Sequence, residues 1–310
     1  MASVRRMVEG KLEVVDGRTV GWADAGTSGT PVLWCHGGPG SRLEGIALGP
    51  VAEEAGLRIV GIDRPGYGAS TPQPGRTIAG WVADALAVVD HLGIDRFAVV
   101  GVSTGGAYAL AVAAAAPDRV LGAVLCCALT DMAWDEGRAM VPGGGTEEIW
   151  AAPDRETALA IAVATFGDDG TKIATAAAGA ELPAADVALF MDPEWLGALG
   201  PNLQASFTQG VVGYTDDRLA DGLGWGSFDV AAVRCPVRVI HGGSDTIVPV
   251  AHAHHTASIV PGATLHVFDD LGHFSIVGEV VPQLSRPDPG HGHGHGPGPG
   301  PGQIAFKSPT

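Results

Sequence analysis

Short apolar runs alternate with stretches of helical periodicity along most of the chain. Residues 12–15 and 18–24 have strand character and flank Asp16-Gly17, a pair that favours a two-residue hairpin turn. After this hairpin, residues 31–35, 58–62, 97–101 and 120–125 form apolar runs of strand length. Helical spacing falls between them, near 43–55, 78–92 and 107–115. Strands alternating with helices predict an α/β fold: a mostly parallel, doubly wound sheet covered on both faces.

The rhythm breaks between Asp131 and Phe228. Alanine-rich stretches at 155–166 and 186–199 have helical spacing there, with no strand between them. We therefore expect a helical cap, residues 131–228, inserted into a core made of residues 1–130 and 229–285. Alternation resumes with a strand at 237–241, a helix at 250–260, a strand at 264–268 and a last helix at 275–284. From residue 286 the composition turns to glycine, proline and histidine, which cannot pack a core, so 286–310 is expected to be a disordered tail. Its His291, His293 and His295 alternate with glycine and read as part of a functionless extension, with metal chelation as the competing role.

Composition narrows the classes of function. Acidic residues outnumber basic ones 34 to 18, for a formal net charge of −16, and this opposes binding to nucleic acid or an anionic membrane, both of which need a basic footprint. The start of the chain carries two arginines without a following apolar stretch, and no apolar run approaches the ~18 residues of a membrane helix. The expectation is a cytoplasmic protein, monomer or homodimer, with a small-molecule partner. Cys35, Cys126, Cys127 and Cys235 lie in or beside apolar runs without metal-ligand spacing, which predicts reduced core thiols.

Candidate chemistry begins at residues 101–105, Gly-Val-Ser-Thr-Gly, a G-x-S-x-G match. With 47 glycines in the chain the pattern alone decides little. Its setting is informative, because it follows the strand at 97–101 directly and opens the apolar helix at 107–115, the strand-turn-helix that presents a nucleophilic serine. A serine hydroxyl needs a base to take its proton and a third group to orient that base. His273 follows the strand at 264–268, and Asp245 follows the strand at 237–241, both at the carboxyl ends of strands where open α/β sheets place ligands. Two backbone N–H groups must face the developing oxyanion. Thr104 supplies one, and Gly38, in the His-Gly-Gly-Pro-Gly loop after the strand at 31–35, supplies the other, with Gly37 its neighbouring alternative. His36 is expected to support this loop by hydrogen bonding, and Asp63 to hold a turn near the site.

Taken together, HGGPG at 36–40, DRPGYGAS at 63–70, GVSTGG at 101–106, HGGSDTIVP at 241–249 and LGHF at 271–274 resemble the α/β-hydrolase superfamily over about residues 10–285. The resemblance implies a Ser103 nucleophile, a His273 base and an Asp245 acid beneath a helical cap, with Asp131, in the loop after the strand at 120–125, as the alternative acid. HGGPG is similar to the proline iminopeptidases, whose nucleophile segment reads GGSWG. GVSTGG departs from that and looks closer to esterases, lactonases and carbon–carbon bond hydrolases. The activity implied is cofactor- and metal-independent cleavage of a small carboxylic ester or related acyl substrate. An aminopeptidase, a carbon–carbon bond hydrolase and a ligand-binding protein on the same fold are the alternatives.

Overall fold

A computed structural model describes residues 7–26, 28–141, 146–173 and 181–286. Its strands are β1 (Val8–Glu13), β2 (Thr19–Asp24), β3 (Thr30–Cys35), β4 (Leu57–Ile62), β5 (Phe97–Val102), β6 (Val120–Cys126), β7 (Val237–Gly242) and β8 (Ala263–Phe268). They form one eight-stranded sheet in the order β1-β2-β4-β3-β5-β6-β7-β8. β1 pairs antiparallel with β2, and β2 with β4; every other pairing is parallel. This is the mostly parallel, doubly wound α/β sheet that the alternation predicts.

The helices of the sheet domain are α1 (Gly49–Glu54), α2 (Val82–His91) and α3 (Gly105–Ala115) before β6, with two more after β7. Between β6 and β7 the described residues hold α4 (Asp135–Met140), α5 (Thr146–Trp150), α6 (Arg155–Phe166), α7 (Ala184–Phe190), α8 (Pro193–Ser206) and α9 (Val212–Asp221), and no strand. The chain closes with α10 (Ala251–Ile259) and α11 (Val280–Ser285). Among the described residues no helix is long and apolar enough to cross a membrane.

Alternation of side chains along each strand builds two cores. Leu33, Val99, Leu125 and Val239 pack with α2, α3 and α10 on one face. Their neighbours Val32, Val100, Val124 and Ile240 pack with α1 and α11 on the other. β5 and β7 are buried at every position, as strands covered on both sides must be. The helical insertion has its own apolar cluster, in which Ile149, Phe166 and Tyr214 surround Tyr67 of the sheet domain.

Five local expectations change. Val14 and Arg18 close the first hairpin, leaving a three-residue loop with Gly17 at φ +80°, so the turn is one residue longer than an Asp-Gly pair suggests. The helix expected at 43–55 is a short 3₁₀ turn followed by α1, which restarts with Pro50 in its first turn. The helices expected at 78–92 and 275–284 likewise each begin as a 3₁₀ turn before α2 and α11. Residues 186–199 form two helices because Asp192 caps α8, accepting from the N–H groups of Glu194 and Trp195, and Pro193 cannot continue α7. The tail from residue 287 lies outside the described residues.

Candidate active site

Ser103 sits between the end of β5 and the start of α3 with φ +52°, a left-handed conformation that a residue with a side chain occupies only where its surroundings hold it. The surroundings do hold it. Its N–H donates to the Cys126 carbonyl at 2.9 Å, and its carbonyl accepts from Gly106 at 3.1 Å and Leu129 at 3.2 Å, so β6 and the loop after it fix both backbone groups. A β-carbon at Gly105 would collide with the carbonyl oxygen of Cys35, so the turn presses directly on the end of β3 and the loop that follows it. Ser103 Oγ makes no hydrogen bond among the described residues.

The loop after β3 is fixed from three sides. His36 is fully buried; its Nδ1 lies 2.7 Å from the Gly37 carbonyl, and its Nε2 accepts from the Arg64 N–H at 3.1 Å. Burial and the neighbouring Arg64 push its pKa well below the usual imidazole value, which keeps the ring neutral with Nδ1 as donor. Glu44 receives the Gly37 N–H at 2.9 and 3.1 Å and Trp34 Nε1 at 3.0 Å. The Gly37 N–H is therefore spent. Neither the Gly38 nor the Thr104 N–H has a backbone acceptor among the described residues. The two residues are neighbours, since a β-carbon on Gly38 would lie 2.8 Å from Thr104 Oγ1.

Arg64 ties this loop to the helical insertion. Its guanidinium donates to the carbonyls of His36 and Gly37, and on its other side to Asp217 of α9 at 2.6 and 3.0 Å. Asp217 also accepts from Arg76 at 2.5 Å, Tyr67 at 2.8 Å and Tyr108 at 3.1 Å, and the side chains of both ion pairs are wholly inaccessible. Next to it, Arg218 donates to Thr104 Oγ1 at 2.5 Å and pairs with Asp221. Burial raises the Asp221 pKa to about 6, against the opposing pull of Arg218.

His273 and Asp245 meet across the ends of β7 and β8, with Nδ1 2.8 Å from Oδ2. The other oxygen of Asp245 accepts from the N–H groups of Ile247 and Val248, each at 2.8 Å, and His241 Nε2 lies 3.4 Å from Oδ2. Burial works against the charge on Asp245, yet His273 and His241 hold its pKa well below the carboxylate range. Burial alone would also lower His273; the adjacent Asp245 overrides it and raises the imidazole well above its ordinary value. An ionised Asp245 accepts from Nδ1–H, which makes Nε2 the basic nitrogen of the ring. Asp131, the alternative acid, instead caps local chain, accepting from the N–H groups of Ala133 and Trp225. Asp63 is buried and receives Arg42 and the Ala69 N–H, holding the turn at 63–70.

Sequence reasoning missed Glu44, Arg64, Asp217, Arg218 and Cys127. Cys127, at φ +42°, places Sγ within 4.8 Å of a ring nitrogen of His273 and a carboxylate oxygen of Asp245. Those donors are already bonded to each other, and burial pushes the Cys127 thiol well above its usual value, away from the thiolate that a metal requires. All four cysteines are buried and free. A groove of about 560 Å³ between the start of the insertion and α10, lined by Trp134, Trp225, Phe228 and His255, includes none of Ser103, Asp245 and His273.

Residues 30–148 match the family model of the alpha/beta hydrolase fold. The chain is 29% identical over 250 residues to a 2-hydroxymuconate semialdehyde hydrolase of Pseudomonas putida, covering 80% of this chain and 82% of that protein. It is 30% identical over 268 residues to a non-heme haloperoxidase of Rhodococcus erythropolis, covering 83% and 90%. Among solved structures, a bromoperoxidase from Bacillus anthracis superimposes with a TM-score of 0.68 at 21% identity, over 89% of this chain and 98% of that one. The chain belongs to the α/β-hydrolase fold family.

Proposed function

We propose that the protein is a serine hydrolase that cleaves a small carboxylic ester or related acyl substrate through Ser103, His273 and Asp245. The observation that carries this reading is the strained Ser103 at the β5–α3 turn, together with the Gly38 and Thr104 N–H groups, neither of which has a backbone acceptor among the described residues. His273 Nε2 takes the Ser103 proton as Oγ attacks the carbonyl carbon. Gly38 and Thr104 N–H groups stabilise the oxyanion, and Asp245 holds the imidazole in the required tautomer and balances its charge. Collapse expels the alcohol, protonated by His273. Water, deprotonated by the same nitrogen, then releases the acid and regenerates the serine. The insertion, residues 131–228, serves as a cap in this reading. Four buried free thiols fit a reducing compartment, so this reading puts the enzyme in the cytoplasm.

An aminopeptidase needs carboxylates to meet a substrate ammonium. In the insertion Asp186, Asp216, Asp217 and Asp221 all have protein partners, and Glu147, Glu148 and Glu194 are exposed on helix surfaces. This favours esters over amino-terminal peptides. Intact-mass analysis after exposure to a fluorophosphonate tests the proposal: wild type should gain one adduct and Ser103→Ala none. An unlabelled, folded wild-type protein would overturn it.

The pH profile is a second check. His273 works as a base only when neutral, and Asp245 raises its pKa, so kcat/KM should rise through a midpoint above the ordinary imidazole value of ~6.5. Asp245→Asn should move that midpoint down. An unmoved midpoint would mean that another group controls the profile.

A further inference from the structure

The loop that carries His273 is held in place by the helical insertion through one buried side chain. Asp186, on α7, is fully inaccessible. Its Oδ1 accepts from the Ser275 N–H at 2.8 Å and from the Ser275 hydroxyl at 2.6 Å, and its Oδ2 accepts from the Phe274 N–H at 3.3 Å. The Ser275 hydroxyl oxygen in turn accepts from the Gly272 N–H at 2.8 Å. Residues on both sides of His273 are thus chained to a single carboxylate that lies 88 and 89 positions before the two N–H groups it accepts. A β-carbon on Gly272 would collide with that carboxylate and with Pro183, so the glycine lets α7 close on the loop. Phe190, at the end of α7, and Trp195 of α8 pack edge-on against Phe274, with ring centroids 5.1 and 6.5 Å away.

We infer that Asp186 is a positioning residue for the base: the insertion sets where His273 stands, through the backbone of residues 272–275. This rests on the serine-hydrolase reading and deepens it, because a cap that holds the base links coverage of the site to its catalytic competence. Asp245 holds Nδ1 of the ring, but the ring's pivot is the main chain, and Asp186 accepts the two N–H groups that follow it. A displacement of about 1 Å at such a group costs on the order of 10²-fold in rate.

The test is the pH dependence of Ser103 labelling by a fluorophosphonate, with the melting temperature measured alongside and rates expressed per folded molecule. Asp186→Ala should slow labelling by about 10- to 100-fold and move its pH midpoint down, toward that of a free imidazole, as the pairing with Asp245 loosens. The titratable groups facing His273 are Asp245, Cys127 and Glu44, and none is altered. Asp186→Asn separates geometry from charge. The amide oxygen still accepts from Ser275, so positioning predicts recovery of most of the rate and of the midpoint. A purely electrostatic role predicts that asparagine behaves like alanine and overturns the inference. Should Asp186→Ala fail to fold, Ser275→Ala removes the hydroxyl link and keeps both backbone donors, and it should show the same midpoint shift at smaller size. Variants labelled at the wild-type rate and midpoint, even with lowered melting temperatures, would show that Asp186 only supports the fold. A wild-type protein that is not labelled at all would instead remove the hydrolase reading.

Discussion

Ser103→Ala is expected to lower kcat on an activated ester by about 10⁶-fold, His273→Ala by a similar factor, and the double variant by no more than either single one. The reason is that nucleophile and base act in one step. Without the hydroxyl, His273 has no proton to take; without the imidazole, the hydroxyl stays protonated and weakly nucleophilic. Asp245→Asn should cost about 10⁴-fold, since an amide in place of the carboxylate favours the wrong imidazole tautomer. It should fold, because an amide oxygen can still accept from the N–H groups of Ile247 and Val248. Steady-state kinetics on the four proteins decide the matter. Losses that multiplied in the double variant would mean that Ser103 and His273 serve separate steps.

What made these residues legible is that each is announced by the chain beside it. Gly101 to Gly106 interrupt a run that is apolar before and after, so the strand, turn and helix are readable within about ten residues. Asp245 and His273 each follow a strand of buried or alternating character by a few positions. The hairpin loop length and the break between α7 and α8 differ from the periodicity although local signals exist: Gly17 at positive φ, and the Asp192-Pro193 pair that ends one helix and caps the next. The supports of the site had no such signal. Arg64 reaches Asp217 across 153 positions, Thr104 reaches Arg218 across 114, and Ser41 meets Asn202 across 161. Pairing at that separation is set by how the insertion folds back over the sheet, and helical periodicity says nothing about it.

Asp217 is where that illegibility has the largest energetic consequence. In sequence, Asp216 and Asp217 are adjacent acids on one helix and look interchangeable. In the fold, Asp216 pairs with Arg155, whose side chain keeps 30% of its exposure, whereas Asp217 is enclosed with Arg64 and Arg76, both fully buried. Removing one member of a buried pair strands the other, so Asp217→Ala should destabilise by about 3–5 kcal/mol or more, as two guanidiniums and two tyrosine hydroxyls lose their acceptor. At about 2–4 °C per kcal/mol this is a fall in Tm of about 6–20 °C. Asp216→Ala should cost about 1 kcal/mol or less, since Arg155 can turn to water. The pH dependence follows from the sign of the shift. Burial works against the carboxylate, but Arg64 and Arg76 hold its pKa far below the usual range. Its contribution is therefore complete above the unfolded pKa of ~3.9 and is lost as the pH falls below that value. Thermal melts at a series of pH values should show wild type losing stability on acidification below about pH 4, with Asp217→Asn flatter over the same interval. Equal losses for Asp216→Ala and Asp217→Ala would contradict the buried network. Because Arg64 also holds the carbonyls of His36 and Gly37, the Asp217 variants that do fold should lose activity through the oxyanion loop even below their melting temperature.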